Sequence, residues 1–153
     1  DAYLGLPHDV FCFTMLQEMM ARRLNVEVGD YLQMVGSFHL YDKHEIRAAN
    51  YIKEGHQSFA PMPKMPAGDP FLIVPEVLRV EQMIRTGQAA AEEAIRALPD
   101  YWADLMRLVQ AHFTADPSML DMITAQLGNQ SYGTYIDDLR DRRIAKLAKE
   151  AEK

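Results

Sequence analysis

The sequence predicts an α/β (α+β) chain that is mostly α-helical, with one or two strands among its helices. Three observations carry that expectation. Apolar residues recur at helical spacing through residues 10–24, residues 31–41 read as a strand, and beyond Pro75 helical runs are cut at intervals by Gly and Pro.

Pro7 and Asp9 open the first helix, because Pro suits the first turn and an acid is favoured there by free N–H groups and the helix dipole. Val10, Phe13, Gln17, Met20 and Leu24 follow helical spacing, and Phe11, Met15 and Met19 are apolar on another side. Most of this helix is therefore expected to be buried. Residues 25–30 make a turn containing Gly29. The strand at 31–41 follows, with Gly36 at a bulge or a close approach. Asp42 is expected to cap a helix that runs to about Glu54 and ends at Gly55. Pro61, Pro63, Pro66, Pro70 and Pro75 make residues 58–75 an extended loop. Helices are then expected at 75–86, ending at Gly87, at 88–97, before Pro99, at 117–127, ending at Gly128, and from about Thr134 to the end. Between them, residues 99–115 are amphipathic through Trp102, Leu105, Met106, Val109 and Phe113. The last helix carries Ile136, Leu139, Arg143, Ile144 and Leu147 on one side.

The 153 residues suffice for one domain with a real core, and 48% hydrophobic with 25% charged residues is ordinary for a soluble globular protein. A net charge of −6 argues against non-specific nucleic-acid binding, while leaving room for a local basic pocket around one phosphate. The single cysteine, Cys12, excludes an internal disulfide and suits a reducing, cytoplasmic setting. No apolar run approaches the ~20 residues of a membrane span, and no signal-peptide pattern is visible, so neither nucleic acid nor membrane is expected as a partner. Asp1 is not an initiator Met and falls inside a motif, so the chain reads as the C-terminal part of a longer protein.

Two constellations could carry chemistry. In Leu4-Gly5-Leu6-Pro7-His8-Asp9, a Gly-Leu-Pro turn feeding a helix brings backbone N–H groups and the next side chains near a ligand. Read locally, Asp9 is a helix N-terminal acid worth about 0.3–1 kcal/mol. In Gly36-Ser37-Phe38-His39-Leu40-Tyr41, alternation puts His39 and Tyr41 on one face, where an imidazole and a phenol could meet one ligand hydroxyl. Read alone, that pair is a satisfied core His and Tyr. Other patterns fail. His44-Glu45-Ile46-Arg47-Ala48 lacks the second His of a zinc protease motif, and scattered His with one Cys build no metal site. Cys12, inside an apolar helix, is expected to be a buried structural thiol.

Taken together, the two constellations resemble motifs of the thymidylate synthase family, at the family's spacing. The family's Asp-Val-Phe-Leu-Gly-Leu-Pro-Phe-Asn segment is similar to residues 1–9, its Gly-Asp turn to Val28-Gly29-Asp30-Tyr31, and its His-x-Tyr strand to His39-Leu40-Tyr41, with no gap needed. Pro61-Met62-Pro63-Lys64-Met65 looks like its proline-rich stretch, and beyond about residue 70 no resemblance is seen. The resemblance implies a thymidylate synthase-like α/β sandwich. Residues 1–57 would be the C-terminal part of its catalytic core, 58–75 a Pro-rich loop, and 76–153 a helical extension of the same domain. It also implies a homodimer, the cofactor 5,10-methylenetetrahydrofolate, and a pyrimidine nucleoside monophosphate as substrate. Asp1 and Gly5 would face the folate, Asp9 the base, and His39 and Tyr41 the sugar hydroxyl. The family's nucleophilic cysteine, in a Pro-Cys-His motif, and its phosphate-binding arginines are expected upstream of this chain or from the partner subunit.

Asp9 stands where the family holds an asparagine that reads uracil. An amide complements the N3–H and O4 of uracil, whereas a carboxylate accepts from the N4 amino group of cytosine and can share a proton with its N3. Against uracil O4 it would set acceptor to acceptor, at a cost of about 1–3 kcal/mol. By resemblance, members acting on deoxycytidylate carry an acid there, so Asp9 would orient and protonate CMP or dCMP. Helices replace the family's closing C-terminal segment, and a looser site would let water add in place of hydride, leaving hydroxymethyl. The rival expectations are a divergent thymidylate synthase that methylates dUMP and a non-catalytic helical interaction module.

Overall fold

Asn25 ends the first helix in a left-handed conformation, at φ 52° and ψ 48°, and its N–H turns back toward the Ala21 and Arg22 carbonyls. Asparagine adopts this conformation more readily than most side chains. Gly29, expected to make the turn, is not among the residues with positive φ. The structure, a computed structural model, describes residues 1–55 and 61–151. Residues 58–60 of the expected proline-rich loop and the last two residues of the expected terminal helix lie outside the described residues. The chain divides into two units, Asp1–Phe71 and Leu72–Lys153.

In the first unit, α1 spans Gly5–Leu24 and starts earlier than expected, with Pro7 inside its first turn. Asp9 therefore sits in the second turn, and the first turn contains no acid. The expectation that most of α1 is buried is corrected. Only Met19 and Ala21 are buried, while Phe11 and Phe13 are each 54% exposed and Leu16 50%. Apolar residues on several sides of a helix bury only where something packs on each side. The contacts of α1 gather toward its C-terminal half. There the Gln17 amide donates to the Gly29 and Asp30 carbonyls at 2.9 and 3.2 Å, and Glu18 accepts from the Met65 N–H at 2.9 Å. Arg23 reaches Asp69 at 3.9 Å and stacks over the Phe71 ring. Cys12, expected to be buried, is exposed.

Residues 26–41 form no regular element, with a bend at Gly36, and among the described residues there is no strand and no sheet. The α/β sandwich expectation, with one or two strands, is overturned: the described structure is helical. A strand needs a neighbour ~4.8 Å away to receive its backbone groups. Here the His39 carbonyl accepts instead from Ala2 N–H at 2.8 Å, and Leu32 and Met34 are 86% and 91% exposed. Side-chain alternation marks an extended chain whether or not a sheet forms, so the pattern could not report the missing partner. A 3-10 turn, Asp42–His44, leads into α2, Glu45–Glu54, which ends at Gly55 with φ 76°. Asp42 does not cap with its side chain, since the residue before the turn is Tyr41 and that before α2 is His44.

After the 3-10 turn Pro70–Leu72, the second unit is built from α3 (Val74–Arg85), α4 (Ala91–Arg96), α5 (Asp100–Phe113), α6 (Pro117–Ala125) and α7 (Gly133–Ala151). Proline and glycine set the borders as expected: Pro75 and Pro117 lie in first turns, and Gly87 follows α3 with φ 67°. Asp116 caps α6 by accepting from Ser118 N–H at 2.9 Å. Ala111, Leu120, Ile123, Leu127 and Ile136 form a buried cluster joining α5, α6 and α7. Full burial of side chains such as Leu120 and Ile136 stabilises the unit by about 1.5–3 kcal/mol each. Of the expected apolar face of α5, Trp102 and Met106 are buried and Phe113 is exposed. On α7, Ile136 is buried, whereas Ile144 and Leu147 are exposed.

Buried Asp104 locks this unit. Its carboxylate accepts from Gly128 N–H at 2.9 Å and Asn129 N–H at 2.8 Å, and pairs with Arg107 at 3.3 Å. A buried charge is tolerated when it is paired and bonded in this way. Arg143 donates to the His112 carbonyl at 2.7 Å, closing the C-terminal end of α5.

Candidate functional site

The chain before α1 folds back on Asp1. Its carboxylate accepts from Tyr3 N–H at 3.0 Å and more weakly from Leu4 N–H at 3.4 Å, and its carbonyl accepts from Leu6 N–H at 2.9 Å. The His8 N–H turns to the Leu4 carbonyl. The Gly-Leu-Pro turn was expected to hold backbone N–H groups near a ligand; Asp1 and Leu4 take those of Leu6 and His8 instead. Gly5 lies directly over Asp1: a side chain there would start 3.4 Å from the Asp1 Cβ.

The bond from Ala2 N–H to the His39 carbonyl ties this turn to the second motif. His39 and Tyr41 do share a face of the extended segment, with ring centroids 5.0 Å apart and edge to face. Both are exposed, so neither is the satisfied core residue of the local reading. Ser37 Oγ approaches His39 Nδ1 at 3.4 Å, and the Lys43 ammonium lies 5.4 Å from the centre of the Tyr41 ring. An imidazole, a phenol, a hydroxyl and a cation thus gather on one exposed patch, which suits a sugar or phosphate oxygen.

His44 was missed by the sequence reading, which weighed it only as half of a metal motif. It is buried at 8% exposure, 5.5 Å from the Tyr3 ring and 6.5 Å from the Tyr41 ring. Its Nδ1 is buried without a hydrogen-bond partner. Its place one 3-10 turn after Tyr41 is the signal that could have found it, since residues three apart eclipse on such a turn. Leu40, between His39 and Tyr41, lines a cavity of about 630 Å³ with Tyr3, Pro7, His8, Tyr51 and Ile52. Asp9 is exposed on α1 and does not line that cavity. Among the described residues no group of three or more His, Cys, Asp or Glu could hold a metal ion. No helix there is long and apolar enough to cross a membrane.

Residues 1–69 match the family model for thymidylate synthase. The match supports the thymidylate synthase family for this part of the chain and contains every candidate site residue: Asp1, Gly5, Asp9, His39 and Tyr41. Thymidylate synthases are transferases that act at C5 of a pyrimidine nucleotide and use methylenetetrahydrofolate. Helices α3–α7 lie outside the matched residues. Asp1 is the carboxylate expected to face the folate. Its carboxylate spends two contacts on Tyr3 and Leu4, and two carboxylate oxygens can accept about four. Acceptor capacity for a pterin N–H therefore remains, and the residue fits.

Proposed function

We propose that the protein transfers a one-carbon unit from methylenetetrahydrofolate to C5 of CMP or dCMP, leaving 5-hydroxymethylcytidylate. The observation that carries this reading is the Ala2–His39 backbone bond, which joins the turn bearing Asp1, Gly5 and Asp9 to the segment bearing His39 and Tyr41. When bound, the folate supplies the carbon. Asp9 accepts from the N4 amino group of cytosine and shares a proton with N3, drawing electrons from C6 toward attack. His39 and Tyr41 hold the sugar hydroxyl, and Asp1 and Gly5 meet the folate. The exposed Asp9 is free for a base: it lies past the first turn of α1, so capping does not account for it. The nucleophile is a Pro-Cys-His cysteine outside these residues, and the enzyme works as a homodimer. The hydroxymethyl product rests on sequence order: α3–α7 follow the matched residues, where the family resemblance would put a closing segment that keeps water out.

Incubating the full-length protein with methylenetetrahydrofolate and each of dUMP, dCMP and CMP tests the reading. Hydroxymethylated cytidylate is the expected product, and Asp9→Asn should move preference toward uridylates. Turnover of dUMP to dTMP alone would make the protein a divergent thymidylate synthase. Failure of every nucleotide to raise the melting temperature would make it a non-catalytic helical module.

A further inference from the structure

Four rings follow one another through the first unit. Tyr3 lies 5.5 Å from His44, His44 6.5 Å from Tyr41, and Tyr41 5.0 Å from His39, centroid to centroid. The 3-10 turn Asp42–His44 builds the middle of this series. The His44 N–H donates to the Tyr41 carbonyl at 2.8 Å, and residues three apart on such a turn point the same way. The Tyr41 ring thus has three neighbours: the imidazoles of His39 and His44, and the Lys43 ammonium at 5.4 Å. His39 and Lys43 are exposed, whereas His44 is buried. An exposed side chain keeps rotamer freedom and can swing with its partner, while a buried one is held by close packing. His44 is therefore the fixed wall beside Tyr41. Behind it stands Tyr3, whose N–H is held by Asp1 and whose neighbour Ala2 makes the backbone bond to His39. Ring contact and backbone bond tie the same turn to the same segment by two routes.

We propose that His44 is a positioning residue for nucleotide binding: its buried ring sets the direction of the Tyr41 phenol, and Tyr3 steadies His44 in turn. This role rests on Tyr41 holding the sugar hydroxyl, as proposed above, and adds a side chain that itself touches no substrate. The means is ring packing. His44 meets Tyr3 at a 35° tilt and Tyr41 at 75°, edge to face, both within the range of about 4.5–7 Å at which aromatic pairs attract. A phenol bonds a hydroxyl only over a narrow range, about 2.5–3.0 Å between oxygens. A Tyr41 ring free to rotate would meet the sugar hydroxyl only part of the time. The sugar hydroxyl takes no part in bond-making at C5, so the loss falls on nucleotide binding and not on the chemical step.

Steady-state kinetics of the full-length protein, with methylenetetrahydrofolate and the nucleotide it turns over best among CMP, dCMP and dUMP, test the proposal. His44→Leu fills the buried site without a ring. It should raise KM for the nucleotide about fivefold, the order of one aromatic pair, with kcat within about twofold of the parent. His44→Phe restores a ring and should bring KM back near the parent. In a Tyr41→Phe background, which lacks the phenol hydroxyl, His44→Leu should add little further rise, because the two side chains act as a unit. A merely structural His44 would add the same rise in both backgrounds. Should His44→Leu fail to fold, Tyr3→Leu, at a partly exposed position, removes the support behind His44 and should show the same rise and the same dependence on the Tyr41 hydroxyl. A parent that turns over none of the three nucleotides would overturn the reading of function, and this role with it. A parent that turns nucleotide over, with KM unchanged in the variants lacking a ring or raised equally with and without the Tyr41 hydroxyl, would overturn the role of His44 alone.

Discussion

The backbone N–H of Ala2 donates to the carbonyl of His39 at 2.8 Å, joining residues far apart in the first unit without a sheet. Ala2→Pro removes the donor, and Ala2→Gly keeps it. In the proposed reaction, Ala2→Pro should raise KM for the nucleotide several-fold with a smaller loss in kcat. It should also cost about 0.5–1.5 kcal/mol of stability. Ala2→Gly should stay near the parent in KM. Steady-state kinetics with the preferred nucleotide checks this, and an unchanged KM in the proline variant would show that other contacts hold His39.

Asp9 separates stability from recognition. It is exposed in the second turn of α1, so Asp9→Ala should change unfolding stability by no more than about 0.5 kcal/mol, the usual range of surface substitutions. A capping residue would cost about 1 kcal/mol. Urea unfolding of the 153-residue chain measures the difference. The same variant should lose discrimination between cytidylate and uridylate.

Asp104 should be the most sensitive polar position of the second unit. Asp104→Ala leaves the N–H groups of Gly128 and Asn129 and the guanidinium of Arg107 without their acceptor, and should destabilise by about 3–5 kcal/mol. Asp104→Asn keeps one acceptor and should cost less. Denaturant midpoints of the two variants would rank them.

Tyr132 gives a pH signature. Partial burial, and secondarily the Asp104 charge, hold its phenol above its ordinary range. The folded state therefore keeps a proton that the unfolded state releases near pH 10. The stability this contributes is full below that pH and is lost as pH rises through the folded value. Tyr132→Phe should accordingly lose less stability than the parent between about pH 10 and 11. Unfolding curves at pH 8, 10 and 11 test the difference.

Cys12 is exposed on α1, so a maleimide should label it in the folded chain as fast as in urea. Cys12→Ser should leave the proposed turnover intact, because the proposed nucleophile is a different cysteine. Protection from labelling would restore the buried-thiol expectation.

The borders of α3 to α7 were legible in the sequence because proline and glycine act locally: Pro75, Pro117 and Gly87 restrict or free their own backbone whatever packs nearby. The family match of residues 1–69 was legible for a related reason, since motif spacing is a linear property. The His39–Tyr41 pair followed from alternation alone. His44 was not legible, because its meaning comes from the rings of Tyr3 and Tyr41, which only folding brings beside it. Nor was the role of Asp104, whose partners lie 24 and 25 residues away.

By itself, then, the sequence determined the proline- and glycine-bounded borders of the second unit's helices and which motifs are present, since both are written in local steric and chemical rules. Tertiary structure alone decided what those elements face. It left residues 26–41 without strand pairing, Phe11 and Phe13 in solvent, and Cys12 exposed. Periodicity counts apolar residues along one chain, whereas burial and strand pairing need a second surface, and that surface is supplied only by contacts distant in sequence.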